Sequence, residues 1–135
     1  RRAFVVHGHD GLDEISVCAP TRVSELRDGM IRTYDVTPEQ LLGRTAEPEE
    51  LQGGDPAVNA DIARRVFAGE KGPRRDVVVV NAGAALVAAG VARDFSEGIG
   101  MAEAAIERFW YGEDGWTRHS VAHRRAQAHG SRGSE

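Results

Sequence analysis

Residues 7–16, HGHDGLDEIS, hold two histidines and three carboxylates within eight positions, directly after the apolar run AFVV of residues 3–6. Imidazoles and carboxylates are the usual protein ligands of metal ions, so the set raises the question of which ion it would take. A zinc site opening with a His-x-His pair after a strand continues x-Asp-His. Here those last two positions hold Gly11 and Leu12, so two of the required ligands are missing. The adjacent acids Asp13 and Glu14 suit a harder ion. Magnesium takes oxygen ligands in an octahedral shell, keeps several waters, and is held by one or two carboxylates while substrate phosphates complete the shell. Two acids therefore suffice only where a phosphorylated ligand supplies the rest. Neighbours on an extended strand point to opposite faces, so both acids reach one cleft only from a bend, which Gly11 just before them allows. A pair of neighbouring acids also fits a solvated turn, and the residues alone leave both readings open.

Other groups read as structural. His7 and His9 at a strand end most often satisfy a backbone hydrogen bond. Cys18 has no assignable histidine partner and reads as a small core residue. Asn81, inside an apolar segment, reads as hydrogen-bonding a loop. Gly53-Gly54 before Asp55-Pro56 could approach a phosphate at a helix N-terminus, but reads first as a turn ahead of a cap.

The elements that must hold these groups follow from the pattern. Residues 3–6 predict a short buried strand ended by Gly8 and Gly11, and EISVCA, RVSELRDG and MIRTYDV predict further strands, with Asp28-Gly29 as a hairpin turn. The expectation is a small mixed sheet. Thr37-Pro38-Glu39 supplies a hydroxyl cap, a proline at the first helical position and an acid in the first turn, so a brief helix runs to Leu42 and residues 43–54 form a loop. Asp55-Pro56 opens a second helix with Ile62, Val66 and Phe67 on one face, stopped by Gly69. In RRDVVVVNAGAALVAAGV, residues 74–91, the valines argue strand and the alanines helix; length decides for a buried helix. Ser96 is expected to cap a last helix with Ile99, Ala102, Ile106 and Phe109 on one face. From residue 117 the chain is polar and without period, which predicts disorder. Strands first and helices after predict an α/β layered domain.

With 135 residues and 41% apolar content the chain can bury one core. Its single cysteine excludes an internal disulfide and suits a reducing compartment, hence the cytoplasm. The longest apolar run, VVVV at 77–80, is far too short to span a bilayer, so no membrane association is expected. A net charge of -4 gives no case for nucleic-acid binding. The charge is uneven: residues 117–135 hold four arginines and one acid, leaving 13 basic and 20 acidic groups on the other 116 residues. The chain does not begin with methionine, and its first strand starts at residue 3 without a cap, as in a piece of something longer.

Taken in order, VVHG, GLDEIS, the Arg-Val-Ser-Glu-Leu strand, IRTYDVTPEQL, GGDPAVNA, GPRRDVVVVNAGAAL and SEGIGMAEAAI resemble the C-terminal part of anthranilate phosphoribosyltransferases, from about Ala3 to about Ile106. The resemblance implies the C-terminal portion of the nucleoside phosphorylase/phosphoribosyltransferase-like α/β domain over residues 3–107, followed by a divergent tail over 108–135. It implies a step of tryptophan biosynthesis in which the amine of anthranilate displaces pyrophosphate from phosphoribosyl pyrophosphate. It also implies Mg2+ on the pyrophosphate, with Asp13 and Glu14 matching the carboxylates that hold one metal, and a homodimer formed through an N-terminal helical domain. That helical domain, the glycine-rich GTGGD loop, the Lys-His-Gly-Asn segment, and the histidine and arginine near anthranilate do not occur in this sequence. Two expectations follow. Either the chain is a fragment of a working transferase, inactive by itself, or it is a stand-alone, non-catalytic binding or structural remnant of that fold.

Overall fold

The computed structural model describes residues 2–111. Three strands, β1 (Arg2–Gly8), β2 (Thr21–Arg27) and β3 (Met30–Val36), form one sheet in the order β1-β2-β3. The expected layering of a small sheet with helices is present. The strand directions differ from the mixed sheet expected, because both pairings are antiparallel. No helix separates the three strands in sequence, and a parallel neighbour needs such a crossover. The β2–β3 return is the expected two-residue turn: Asp28 (φ 53) and Gly29 (φ 83) both take the positive φ that a twisted hairpin requires.

EISVCA is not a strand but an irregular loop folded around Ser16, whose hydroxyl accepts hydrogen bonds from the Cys18 and Ala19 N–H groups. Ser16 N–H itself donates to Thr21 Oγ1. With its backbone groups drawn into a local turn, the segment cannot join the ladder.

Four helices follow. α1 (Pro38–Leu42) starts at the capping box Thr37/Gln40 and ends at Gly43 in the left-handed conformation. The loop expected over 43–54 contains a short 3-10 turn, Pro48–Leu51. In α2 (Pro56–Phe67) the Asp55 side chain accepts from the N–H groups of Ala57 and Val58. α3 (Pro73–Ala88) confirms the helical reading of the valine-alanine segment, since Val79, Val80, Ala84 and Val87 are buried as one face. α4 (Phe95–Tyr111) begins one residue before the expected cap: Asp94, not Ser96, accepts from Glu97 N–H. Aspartate and serine cap about equally well, so backbone geometry selects between them.

Ile99, Ala102 and Ile106 of α4 meet Val79, Val80 and Ala84 of α3 beneath Val23 and Val36 of the sheet, with Ile15 and Val17 from the loop in the same core. Phe4 of β1 stacks on Phe95 at 5.4 Å between ring centroids, tying the sheet edge to the start of α4. The Phe109 side chain and residues 112–135 of the tail expected over 108–135 lie outside the described residues.

Candidate metal site

The segment from Gly8 to Ser16 is a compact loop whose ends are both fixed. Gly8 N–H donates to Leu12 O at 2.8 Å and Gly11 N–H to Gly8 O at 2.9 Å, closing a tight turn with Gly11 at φ 96. Asp10 braces the turn from within: its carboxylate accepts from Leu12 N–H at 3.3 Å and from the Ser16 hydroxyl at 2.5 Å. Asp10 is thus occupied by the loop itself, which leaves Asp13 and Glu14 as the free acids.

Both free acids are exposed. Neither has a cationic partner among the described residues, whereas ten other ion pairs do form there. Glu14 forms part of the wall of a cleft of about 380 Å³ between α2 and α3, together with Leu12, Gly53, Asn59, Phe67 and Arg74. Asp13 does not line that cleft. Partial burial, and secondarily the negative Asp13 beside it, push the Glu14 carboxyl above its ordinary range. Two like charges held together without a counter-ion form an arrangement that a cation relieves. The donor set, all oxygen and adjacent, suits magnesium in character. Among the described residues no three His, Cys, Asp or Glu side chains gather into a metal-binding group, so most of a magnesium shell would have to come from water and ligand oxygens.

Of the other sequence candidates, the histidines depart from their structural reading and the rest follow theirs. His7 and His9 are exposed, and among the described residues neither side chain makes the expected backbone hydrogen bond; His9 Nε2 instead lies 3.6 Å from an Asp35 carboxylate oxygen. Cys18 is partly buried; that burial and the surrounding acids, Asp10 first, raise its thiol pKa, which opposes thiolate chemistry. Gly53-Gly54 is a turn held by Asn59, which accepts from Gly54 N–H and donates to Gly54 O, both at 2.9 Å. With Asp55 capping α2, that helix start is already satisfied. Asn81 does bond a loop, and the loop is the one carrying the two acids.

Sequence reasoning missed Arg74. It reaches the cleft from the first turn of α3, donates to Gln52 O at 2.8 Å, and has a buried Nε without a hydrogen-bond partner among the described residues. Nothing in its local sequence sets it apart in so arginine-rich a chain.

The loop's order of motifs is matched elsewhere. A family model described as "Glycosyl transferase family, a/b domain" covers residues 1–108. The chain belongs to that family.

Within the glycosyl transferase family, the similar proteins are anthranilate phosphoribosyltransferases, as the motif order implied. The chain is 67% identical over 107 residues to that of Syntrophobacter fumaroxidans and 62% identical over 107 residues to that of Desulfatibacillum aliphaticivorans; each match covers 79% of this chain and 32% of the relative. Among solved structures, the anthranilate phosphoribosyltransferase of Thermus thermophilus superposes with a TM-score of 0.69 at 40% identity, over 78% of this chain and 31% of that one. The Saccharomyces cerevisiae enzyme in complex with PRPP and Mg gives 0.67 at 27% identity, over 77% of this chain and 30% of that one. The chain spans about a third of the length of the curated relatives it matches. Among the described residues no helix is long and apolar enough to cross a membrane.

Proposed function

We propose that this chain is the metal-binding third of an anthranilate phosphoribosyltransferase, and that the complete protein transfers the phosphoribosyl group of phosphoribosyl pyrophosphate to anthranilate in tryptophan biosynthesis. The observation that carries the reading is the uncompensated pair Asp13 and Glu14, held on a braced loop beside a cleft in a chain 67% identical to such an enzyme. A relative of this family binds PRPP and Mg in its solved complex. Bound magnesium would neutralise charge building on the departing pyrophosphate oxygens.

The chain's own residues contribute placement. Asp13 and Glu14 are the groups that would hold the ion, and the Gly8–Leu12 turn presents them side by side. Leu12, Ile62, Val66 and Val77 give the adjoining cleft a largely apolar wall beside Glu14. Phosphate-binding loops and the anthranilate contacts belong, in this reading, to the other two thirds of the protein, as does the dimer-forming helical region. In this reading the complete enzyme works in the cytoplasm on small-molecule substrates, as a homodimer.

Two measurements test the proposal. The nucleotide sequence upstream of residue 1 is expected to continue in frame through GTGGD and Lys-His-Gly-Asn; a stop codon there would favour the stand-alone remnant instead. In the complete protein, Asp13→Asn or Glu14→Gln is expected to lower turnover at limiting magnesium while leaving the fold intact. Full rate at limiting magnesium in both variants would overturn the metal assignment.

A further inference from the structure

Neither the Asp13 nor the Glu14 carboxylate accepts a hydrogen bond among the described residues, so within this chain only the backbone fixes where the two side chains start and in which direction their Cα–Cβ bonds leave. That backbone is anchored immediately on either side. Leu12 is fixed by its carbonyl, which accepts from Gly8 N–H, and by its N–H, which donates to Asp10. Ile15 is fixed by a residue 66 positions away: Ile15 N–H donates to Asn81 Oδ1 at 2.9 Å, and Asn81 Nδ2 donates back to Ile15 O at 3.0 Å. The same Nδ2 donates to Val77 O at 2.9 Å, one turn earlier on α3. Three of the amide's four hydrogen-bonding positions are then used in one orientation, and a flip would set its oxygen against two carbonyl oxygens. Ile15 itself is fully buried, so the clamp holds a point of the core. Asparagine is a mediocre helix former, and alanine at this position would favour α3 more. The residue is explained by what it holds and not by the helix it sits on.

We propose that Asn81 is a positioning residue for the Asp13–Glu14 pair, acting by clamping both backbone groups of Ile15. The two acids form a two-residue span between fixed points, so their backbone positions stay side by side, Glu14 at the cleft wall and Asp13 next to it. This rests on the reading of the two acids as metal ligands. Asn81 touches neither the ion nor a substrate.

The test uses the complete protein that contains this chain, with Mn2+ as a paramagnetic stand-in for magnesium, alone and with inorganic pyrophosphate. Line broadening of backbone amides is followed by NMR. In the native chain broadening is expected to centre on residues 13–15, and Asp13→Asn with Glu14→Gln is expected to abolish it. Asn81→Ala is expected to raise the Mn2+ concentration for half-broadening about ten-fold, the lower end of what loss of a ligand-orienting partner does. Asn81→Ser, which can still bond within α3 but is too short to clamp Ile15, is expected to behave like Asn81→Ala.

Unchanged Mn2+ dependence in both Asn81 variants, with loss in the acid variants, overturns the positioning role and leaves the metal reading standing. A lowered melting temperature with unchanged Mn2+ dependence has the same meaning, since it marks a merely structural residue. Broadening that persists in the acid variants, or that never centres on residues 13–15, removes the metal reading and the positioning role together. Should Asn81→Ala not fold, hydrogen exchange in the native chain decides: the Ile15 amide is expected to be protected like the α3 core. Exchange as fast as that of Asp13 overturns the clamp whatever the variants do.

Discussion

Gly83 on α3 and Gly98 on α4 meet backbone against backbone: a Cβ on Gly98 would lie 2.5 Å from the Gly83 carbonyl oxygen. A Cβ on Gly83 would lie 2.8 Å from the Ile99 nitrogen. The close approach lets Val79, Val80 and Ala84 bury against Ile99, Ala102 and Ile106, so the core beneath the acid-bearing loop depends on two missing side chains.

Gly83→Ala or Gly98→Ala is therefore expected to destabilise the chain by about 1–3 kcal/mol, the usual penalty for overpacking, measured by urea denaturation. Gly100→Ala is the control. It lies in α4 with open space where its Cβ would go, and is expected to stabilise by up to about 1 kcal/mol through helix propensity. Equal effects at Gly98 and Gly100 would show that the crossing is looser than the geometry implies.

Arg44 reaches from the loop after α1 to Asp76 in the first turn of α3, with Nη2 at 2.6 Å from both carboxylate oxygens and Nε at 2.9 Å from Oδ2. Asp76 is only 4% exposed. Arg44→Leu strands that carboxylate, and the expected loss is about 1–3 kcal/mol. The mostly exposed arginine keeps the effect below that of a fully buried pair. A double-mutant cycle with Asp76→Asn, read by thermal melting, checks it: additive losses would mean that the two groups do not act together.

Tyr34 carries the pH prediction. Burial, and then its hydrogen bond to Glu25 Oε2 at 3.1 Å, push the phenol up to about 12. Glu25 also accepts from Arg2 Nε at 2.8 Å, so one carboxylate links the first and third strands across the second. Because the fold favours the neutral phenol, its contribution is present in full below about pH 10, the ordinary tyrosine value, and fades as pH rises through about 12. Ultraviolet titration of tyrosinate is expected to show a phase near 12 that Tyr34→Phe removes. Persistence of that phase in the variant would assign it elsewhere.

The outer face of the sheet carries Val5 and Ile31 at 72% and 73% exposure, and β1 has no strand on its far side among the described residues. An edge strand of seven residues with an apolar outward residue is a template for association. The isolated chain is expected to aggregate at high concentration, and Val5→Lys to suppress this as followed by light scattering. A monomer of native sequence with a sharp, reversible melt at high concentration would contradict the expectation.

Local chemistry was legible in the sequence because its causes lie within a few residues. Thr37 and Asp55 announce their helices through caps that reach three positions ahead, and Asp28-Gly29 announces its hairpin through two positive φ angles. The adjacency of Asp13 and Glu14, and the bend at Gly11 that frees them from strand alternation, were visible for the same reason. EISVCA misled because strand periodicity cannot show a serine hydroxyl drawing backbone N–H groups into a turn. The strand directions, the cleft that Glu14 and Arg74 share, the crossing at Gly83 and Gly98, and the grip of Asn81 on Ile15 depend on residues tens of positions apart. Hydrogen bonds and close packing act over a few ångströms of space, so only the folded chain determines which distant groups come within that range.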